Sequence, residues 1–185
     1  ALGGIGANVH LGKYLKLDKR EAIKNFVENI KKAVKLTEGS KANIIIENTA
    51  GQGSELGFRF DEFGEIYKMI GDTKNVKVCI DTAHSFGAGY DLSEPKKIKG
   101  ILDEIDRSFG MKNVACIHLN DAKKPLGSRV DRHEDIGRGT IGSVGLKTFV
   151  KRLSEYGGEN IPLILETPQG YLTYEEQIRE VTQWL

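Results

Sequence analysis

Five short apolar runs punctuate the chain at intervals of about one strand plus one helix. Each ends in a side chain able to bind a metal. The runs are "IGANVH", "ANIIIEN", "VKVCIDT", "VACIHLND" and "IPLILET", and the terminal groups are His10, Glu47, Asp81, His118 and Glu166. Near-continuous β-branched and aliphatic segments of this length read as strands buried on both faces of a parallel sheet. Amphipathic helical patterns lie between them. Asp18–Leu36 carries Ala22, Ile23, Phe26, Val27, Ile30 and Val34 on one stripe, with Asp18 and Glu21 spaced as a capping box and Gly39 near the stop. Phe60–Ile70 is a second helix, and Ser93–Phe109 a third, with Ser93 as N-cap and Gly110 past its end. Ser143–Tyr156 is a fourth, closed by Gly157 and Gly158, and Thr173–Leu185 a fifth, opened by the capping box of Thr173 and Glu176.

Strand and helix alternating five times predict an α/β fold with parallel strands. Two architectures compete, an open doubly wound sheet and a (β/α)8 TIM barrel. No Gly-x-Gly-x-x-Gly follows the first strand, so the dinucleotide form of the open sheet has no support. A complete barrel takes about 250 residues, so 185 residues with five units predict a single domain over residues 1–185 carrying the last five βα units, without the N-terminal strands. No apolar run approaches the roughly 18 residues of a membrane helix, and no signal peptide opens the sequence. Cys79 and Cys116 lie in apolar runs, which suits reduced thiols in an intracellular protein. Net charge is +1, so any anion site must be local.

A charged group on the last residue of a buried strand lies at the carboxyl rim of the sheet, where barrel enzymes keep their chemistry. One acid there is an ordinary helix cap or loop residue. Three acids and two histidines on a shared rim crowd like charges that cations would relieve. "DTAH" adds His84 three residues after Asp81, and "GSRVDRHED" adds Asp131 and His133 from the long loop after the fourth strand, so all four histidines of the chain join the set. Mixed imidazole and carboxylate ligation suits zinc, with manganese the alternative at some positions. Eight candidate ligands exceed one tetrahedral ion, so two or three ions sharing a carboxylate are expected. Cys79 and Cys116 each precede a proposed ligand by two residues and read as small core residues roughly 6–7 Å down the strand. The Gly-rich segments "ENTAGQGSELG" and "SFGAGYDL" are weak phosphate-cradle signals, explained about as well by tight turns. With Asp131 committed to metal, the loop from Lys123 to Arg138 has a modest positive excess and points to phosphate contact through Arg129 and Arg132.

The strings "ENTAGQGSELGFRF", "CIDTAHSFGAGYDL", "HLNDAKKPLGSRVDRHEDIGRGTIG" and "LILETP" resemble the endonuclease IV family of zinc-dependent apurinic/apyrimidinic endonucleases, from His10 to the C-terminus. The resemblance implies a TIM barrel with three zinc ions at the carboxyl rim, acting on double-stranded DNA. It implies cleavage on the 5′ side of an abasic site, leaving a 3′-hydroxyl and a 5′-deoxyribose phosphate. By matching motif, Glu47 bridges two zincs and is the central catalytic residue. His10 joins it on the first, Asp81, His118 and Glu166 complete the second, and His84, Asp131 and His133 hold the third. Arg132 matches a position beside the bound DNA. The family takes a further first-zinc histidine from the strand before that of His10. It also reads "HPGSH" where this chain has "HLGKY", and often carries a cysteine at the position of Ala83. A monomer inside the cell is expected, in cytoplasm or nucleoid, or in a nucleus. The competing readings are a metal-dependent sugar isomerase or epimerase, needing only Glu47, Asp81, His118 and Glu166, and an inactive barrel fragment. The isomerase has no use for His84 with Asp131 and His133.

Overall fold

The computed structural model describes residues 3–71 and 74–185. Five parallel strands form one sheet in the order β1 (Gly6–His10), β2 (Asn43–Glu47), β3 (Val76–Asp81), β4 (Val114–His118) and β7 (Leu163–Ile164). Spatial order follows chain order throughout. A doubly wound sheet reverses its order at a switch point, whereas a barrel steps to the next neighbour each time. The sheet is therefore a section of a (β/α)8 barrel. The crossovers contain α1 (Lys19–Leu36), α2 (Phe60–Ile70), α3 (Thr82–Ala88), α4 (Pro95–Phe109) and α5 (Gly142–Leu153), and α6 (Tyr174–Thr182) closes the order.

The period-two alternation of each strand gives the sheet two different faces. Ile46, Val76, Val78, Ile80 and Ile117 join Val27, Ile30, Phe60, Phe63, Ile98, Leu102 and Phe149 of the helices in the main core. On the other face lie Ile45, Cys79 and Cys116, a small separate cluster, and above them the charged strand ends. The register slips once, where Val78 faces Val114 but Cys79 faces Cys116. Ala115 is the extra residue of this bulge. It lets Val114 face the helices while Cys116 and His118 face the other way, a re-aiming typical of bulges.

Several expected boundaries shift. Asp18 caps α1 by accepting from the backbone of Arg20 and Glu21, without the reciprocal half of a capping box. Ser93 is not the cap of α4: its hydroxyl donates to Asp91, and Glu94 caps the helix ahead of Pro95. The proline fits the first helical turn, which needs no amide hydrogen. α5 relaxes into a 3-10 turn at Ser154–Tyr156 before Gly157. The capping box of Thr173 and Glu176 is present as expected. The run "IPLILET" pairs as a strand only at Leu163–Ile164. Burial on both faces holds for β2 to β4 but not at the edges, where all of β1 and Ile164 are exposed, because among the described residues each edge strand has one neighbour.

Helices α2 and α4 meet closely because Gly64 has no side chain. A Cβ there would lie 2.7 Å from the Ser108 carbonyl oxygen and 2.9 Å from its Cβ. On an exposed helix, Gly→Ala stabilises by about 1 kcal/mol. Here the clash is with backbone, and Gly64→Ala is expected to destabilise by about 1–3 kcal/mol, read as a lower urea midpoint. An unchanged or higher midpoint would show that α4 yields freely.

Candidate metal centre

All eight candidate ligands meet at the carboxyl ends of the strands. Glu47, the last residue of β2, is 2% exposed and sits at the middle. Its Oε1 lies 3.1 Å from His118 Nδ1 and 3.3 Å from His84 Nδ1, and its Oε2 lies 3.6 Å from His10 Nε2. Asn8 also donates to Oε2. Burial opposes ionisation of Glu47, but the hydrogen bonds and charges of His118 and His84 prevail and hold its carboxyl well below the usual carboxylate range.

His118 Nδ1 is also 2.9 Å from Glu166 Oε2. Burial would lower the basicity of His118, yet Glu166 and Glu47 push it up to about 10. The same hydrogen bond lowers Glu166. Glu47, Asp81, His118 and Glu166 each present one donor atom within 4.8 Å of the others.

Asp81 ends β3 and caps α3. One carboxylate oxygen accepts from the His84 amide at 2.7 Å, which fixes the direction in which α3 carries His84. The other accepts from Asn120 Nδ2 at 2.6 Å. The second half of α3, Ser85–Ala88, falls in the Gly-rich segment "SFGAGYDL", the weak phosphate-cradle signal. Its Gly87 serves close packing instead: a Cβ there would lie 3.2 Å from that of Ala50. Gly51, in the other Gly-rich segment, has a φ of 81° and lies against Phe58.

The long loop after β4 is folded back by a two-stranded pairing of β5 (Asp121–Ala122) with β6 (His133–Glu134). That pairing returns Asp131 and His133 to the rim. Asp131 Oδ1 is 3.3 Å from His84 Nε2 and 3.4 Å from His133 Nε2. His133 Nε2 also lies 3.5 Å from Asp81 Oδ2.

The backbone reveals how these rings are set. His84 Nδ1 faces the Asn48 carbonyl at 3.0 Å, and His133 Nδ1 faces the Glu166 carbonyl at 3.2 Å. A carbonyl only accepts, so the proton of each neutral ring resides on Nδ1. Each Nε2 then turns a lone pair on carboxylate oxygen. His133 Nε2 is buried with no hydrogen-bond partner. Two lone pairs aimed at one carboxylate need a proton or a cation between them. This donor set of imidazole nitrogen and carboxylate oxygen fits a zinc-type ion. In the metal-free protein the proton serves, and His84 is raised well above its ordinary value by Asp81, Asp131 and Glu47 against its own burial.

Arg132 and Arg129 lie on the exposed surface of the loop. Arg132 Nη1 donates to the Asp131 carbonyl at 2.6 Å. Arg129 has a φ of 51°, and its guanidinium lies 4.6 Å from the Phe58 ring centroid. Sequence reasoning missed the residues behind the cluster. Asn120 Oδ1 accepts from the Glu166 amide at 2.8 Å, so Asn120 ties Asp81 to Glu166. Asn48 accepts from the Asp81 amide at 2.8 Å, and Thr82 Oγ1 donates to the Asn120 carbonyl at 2.6 Å. Their one sequence signal is position: each follows a strand end, in "EN", "DT" and "LND".

The two cysteines face the same side as the cluster, as strand parity predicts. They are free and buried, and their sulfurs lie closer to His118 than the expected step down the strand. The Cys79 thiol is pushed up by its hydrogen bond with Cys116 and by burial.

The model of the xylose isomerase-like TIM barrel family matches residues 1–185. The chain is 42% identical over 161 residues to a probable endonuclease 4 of Campylobacter hominis, covering 86% of this chain and 55% of that one. It is 38% identical over 194 residues to a putative endonuclease 4 of Acanthamoeba polyphaga mimivirus, covering 98% and 61%. Among solved structures it is similar to endonuclease IV from Thermus thermophilus, with a TM-score of 0.77 and 35% identity over 99% of this chain and 61% of that one. The chain thus spans between 55% and 61% of the length of these relatives.

His118 and His84 hold raised values in the metal-free fold. Their stabilising effect is complete below the ordinary histidine value of 6.5 and is lost as pH rises through the folded value, about 10 for His118. The metal-free protein is therefore expected to show a urea midpoint that falls steadily between pH 7 and pH 10. A flat midpoint over that window would refute the proton-held arrangement.

Proposed function

The chain belongs to the xylose isomerase-like TIM barrel family, within its endonuclease IV group, and on that premise we propose that the protein hydrolyses the DNA phosphodiester on the 5′ side of abasic sites. The products are a 3′-hydroxyl and a 5′-deoxyribose phosphate. The observation that carries this reading is the convergence of His84 Nε2 and His133 Nε2 on Asp131 Oδ1, beside the set of Glu47, Asp81, His118 and Glu166. A sugar isomerase working with one ion needs the second set and not the first.

In this reading His10 and Glu47 would hold one zinc, Glu47, Asp81, His118 and Glu166 a second, and His84, Asp131 and His133 a third. Bound there, zinc supplies a Lewis acid for phosphate oxygens and brings the pKa of water to about 7. The chain supplies orientation. Glu47 is the catalytic carboxylate because it is shared between two ligand sets. Asn120 and the His84 amide fix both oxygens of Asp81, and the Asn48 and Glu166 carbonyls fix the tautomers of His84 and His133. Such outer partners matter about 10–100-fold in metal affinity or activity. Arg132 and Arg129 stand on the exposed loop beside the centre and meet the DNA backbone. The substrate is double-stranded DNA, and the protein acts as a monomer inside the cell. No helix among the described residues is long and apolar enough to cross a membrane.

The full-length protein is expected to nick a duplex with one abasic analogue, to lose that activity on chelation and to regain it with zinc. Equal cutting by chelated and untreated samples would sink the proposal. Glu47→Gln is expected to lower nicking by more than about a hundredfold, beyond the loss typical of an outer partner, while duplex binding persists.

Arg132→Ala is expected to weaken DNA binding across sequences and to reduce the salt slope by about 1, with zinc content unchanged. Zinc loss in this variant would assign the arginine to the loop's structure instead.

A further inference from the structure

Directly beneath the rim lies a second set of donors. The register pairs Cys79 of β3 with Cys116 of β4, one step below the pairing of Asp81 with His118. The bulge at Ala115 creates this pairing by turning Cys116 to the side of Cys79. The two Sγ atoms and one imidazole nitrogen of His118 all lie within 4.8 Å of one another. Both thiols are free, 0% and 2% exposed, and packed with Ile45 apart from the main core. Zinc–sulfur bonds of about 2.3 Å and zinc–nitrogen bonds of about 2.0 Å put tetrahedral donors roughly 3.5–4 Å apart, and a larger soft ion sets them wider still. Closing the three donors onto one ion therefore takes side-chain movements on the order of 1 Å.

We propose that Cys79, Cys116 and His118 form a binding site for one soft, thiophilic divalent ion of the cadmium class, beneath the imidazole and carboxylate centre and sharing His118 with it. Donor chemistry distinguishes the two places. Thiolates select soft ions, whereas mixed nitrogen and oxygen sets suit zinc or manganese. Binding breaks two S–H bonds, forms two metal–sulfur bonds and releases two protons to solvent, with no change of oxidation state. His118 is the shared element. Its Nδ1 already faces Glu166 at 2.9 Å and Glu47 at 3.1 Å, so an ion held from below competes with the rim for this ring. Two strand residues of ordinary core appearance thereby make the centre sensitive to thiophilic metals.

The test is titration of the reduced, zinc-loaded, full-length protein with cadmium. A thiolate-to-cadmium ultraviolet band saturating at one added equivalent is expected, with a cadmium NMR resonance typical of sulfur ligation. Cys79→Ala and Cys116→Ala are each expected to remove the band and lower cadmium affinity by more than about tenfold, with zinc content unchanged. Absence of the band in the parent protein, or its survival in both variants, overturns the site and leaves the thiols as packing residues. Should a variant fail to fold, the NMR resonance of the parent decides alone: a shift typical of oxygen and nitrogen ligands is equally fatal. The readout is binding, so the site stands or falls independently of DNA cleavage.

Discussion

A buried carboxylate shared by three imidazoles is the constraint from which the rest of this structure follows. Glu47 is almost wholly removed from water, and removing an ionised carboxyl costs several kcal/mol unless partners replace its hydration. His118, His84 and Asn8 do so, each from a different element, with His10 3.6 Å away. Three elements must therefore arrive at one point to within hydrogen-bonding reach. Parallel strands in strict neighbour order deliver Glu47, Asp81 and His118 to one rim: the register places Glu47 opposite Cys79, two residues before Asp81, and Asp81 opposite His118. Helix α3 delivers His84 by starting on Asp81 itself. Geometry that would be improbable for loops is routine for a barrel rim.

The ligands on the long loop need another device, because β4 ends well before Asp131. Two further buried carboxylates provide it without touching the cluster's imidazoles. Asp121 accepts from the backbone amides of Ala122, Gly139, Ile141 and Gly142, which pins the loop's far end to its beginning. Gly139 is required there, since a Cβ would lie 2.5 Å from the Asp121 carboxylate and from the Ala122 carbonyl. Asp135 accepts from the amides of Tyr171 and Leu172, which joins this loop to the segment following Glu166. Burying a charged oxygen among amide donors is expensive if any donor is lost. The loop carrying Asp131 and His133 is accordingly tied both to the end of β4 and to the segment after Glu166.

How much of this could be read in the sequence depended on whether a feature was periodic. The strand ends are legible because a strand has one last residue: four strands end in metal-capable groups, and Glu166 lies two residues past the end of β7. The three-residue spacing of Asp81 and His84 is legible too, though not the helix that creates it, since the polar and glycine content of "TAHSFGA" masks so short an element. Asn48, Thr82 and Asn120 escaped notice because a lone amide or hydroxyl after a strand has no pattern of its own. Their importance comes from hydrogen bonds between strands about 35 residues apart. Ser93 looked like a cap, but Glu94 beside Pro95 took that place. The edge strands looked as apolar as the central ones, yet burial is a property of neighbours and not of the segment.

The bulge at Ala115 behaves like a phase shift in a two-letter code. Strand residues alternate between two faces, and one supernumerary residue inverts every assignment after it. Before the bulge, β4 is in phase with the helical core through Val114. After it, Cys116 and His118 are in phase with the rim. Loss of a single residue here would leave the composition of the strand nearly unchanged while rotating His118 into the greasy layer and Ile117 onto the charged one. Insertions and deletions in this strand are thus constrained by parity more tightly than substitutions are by size. The position itself, more than the small Ala115 side chain packed against Ile45, Cys79 and Cys116, is what keeps the strand in phase.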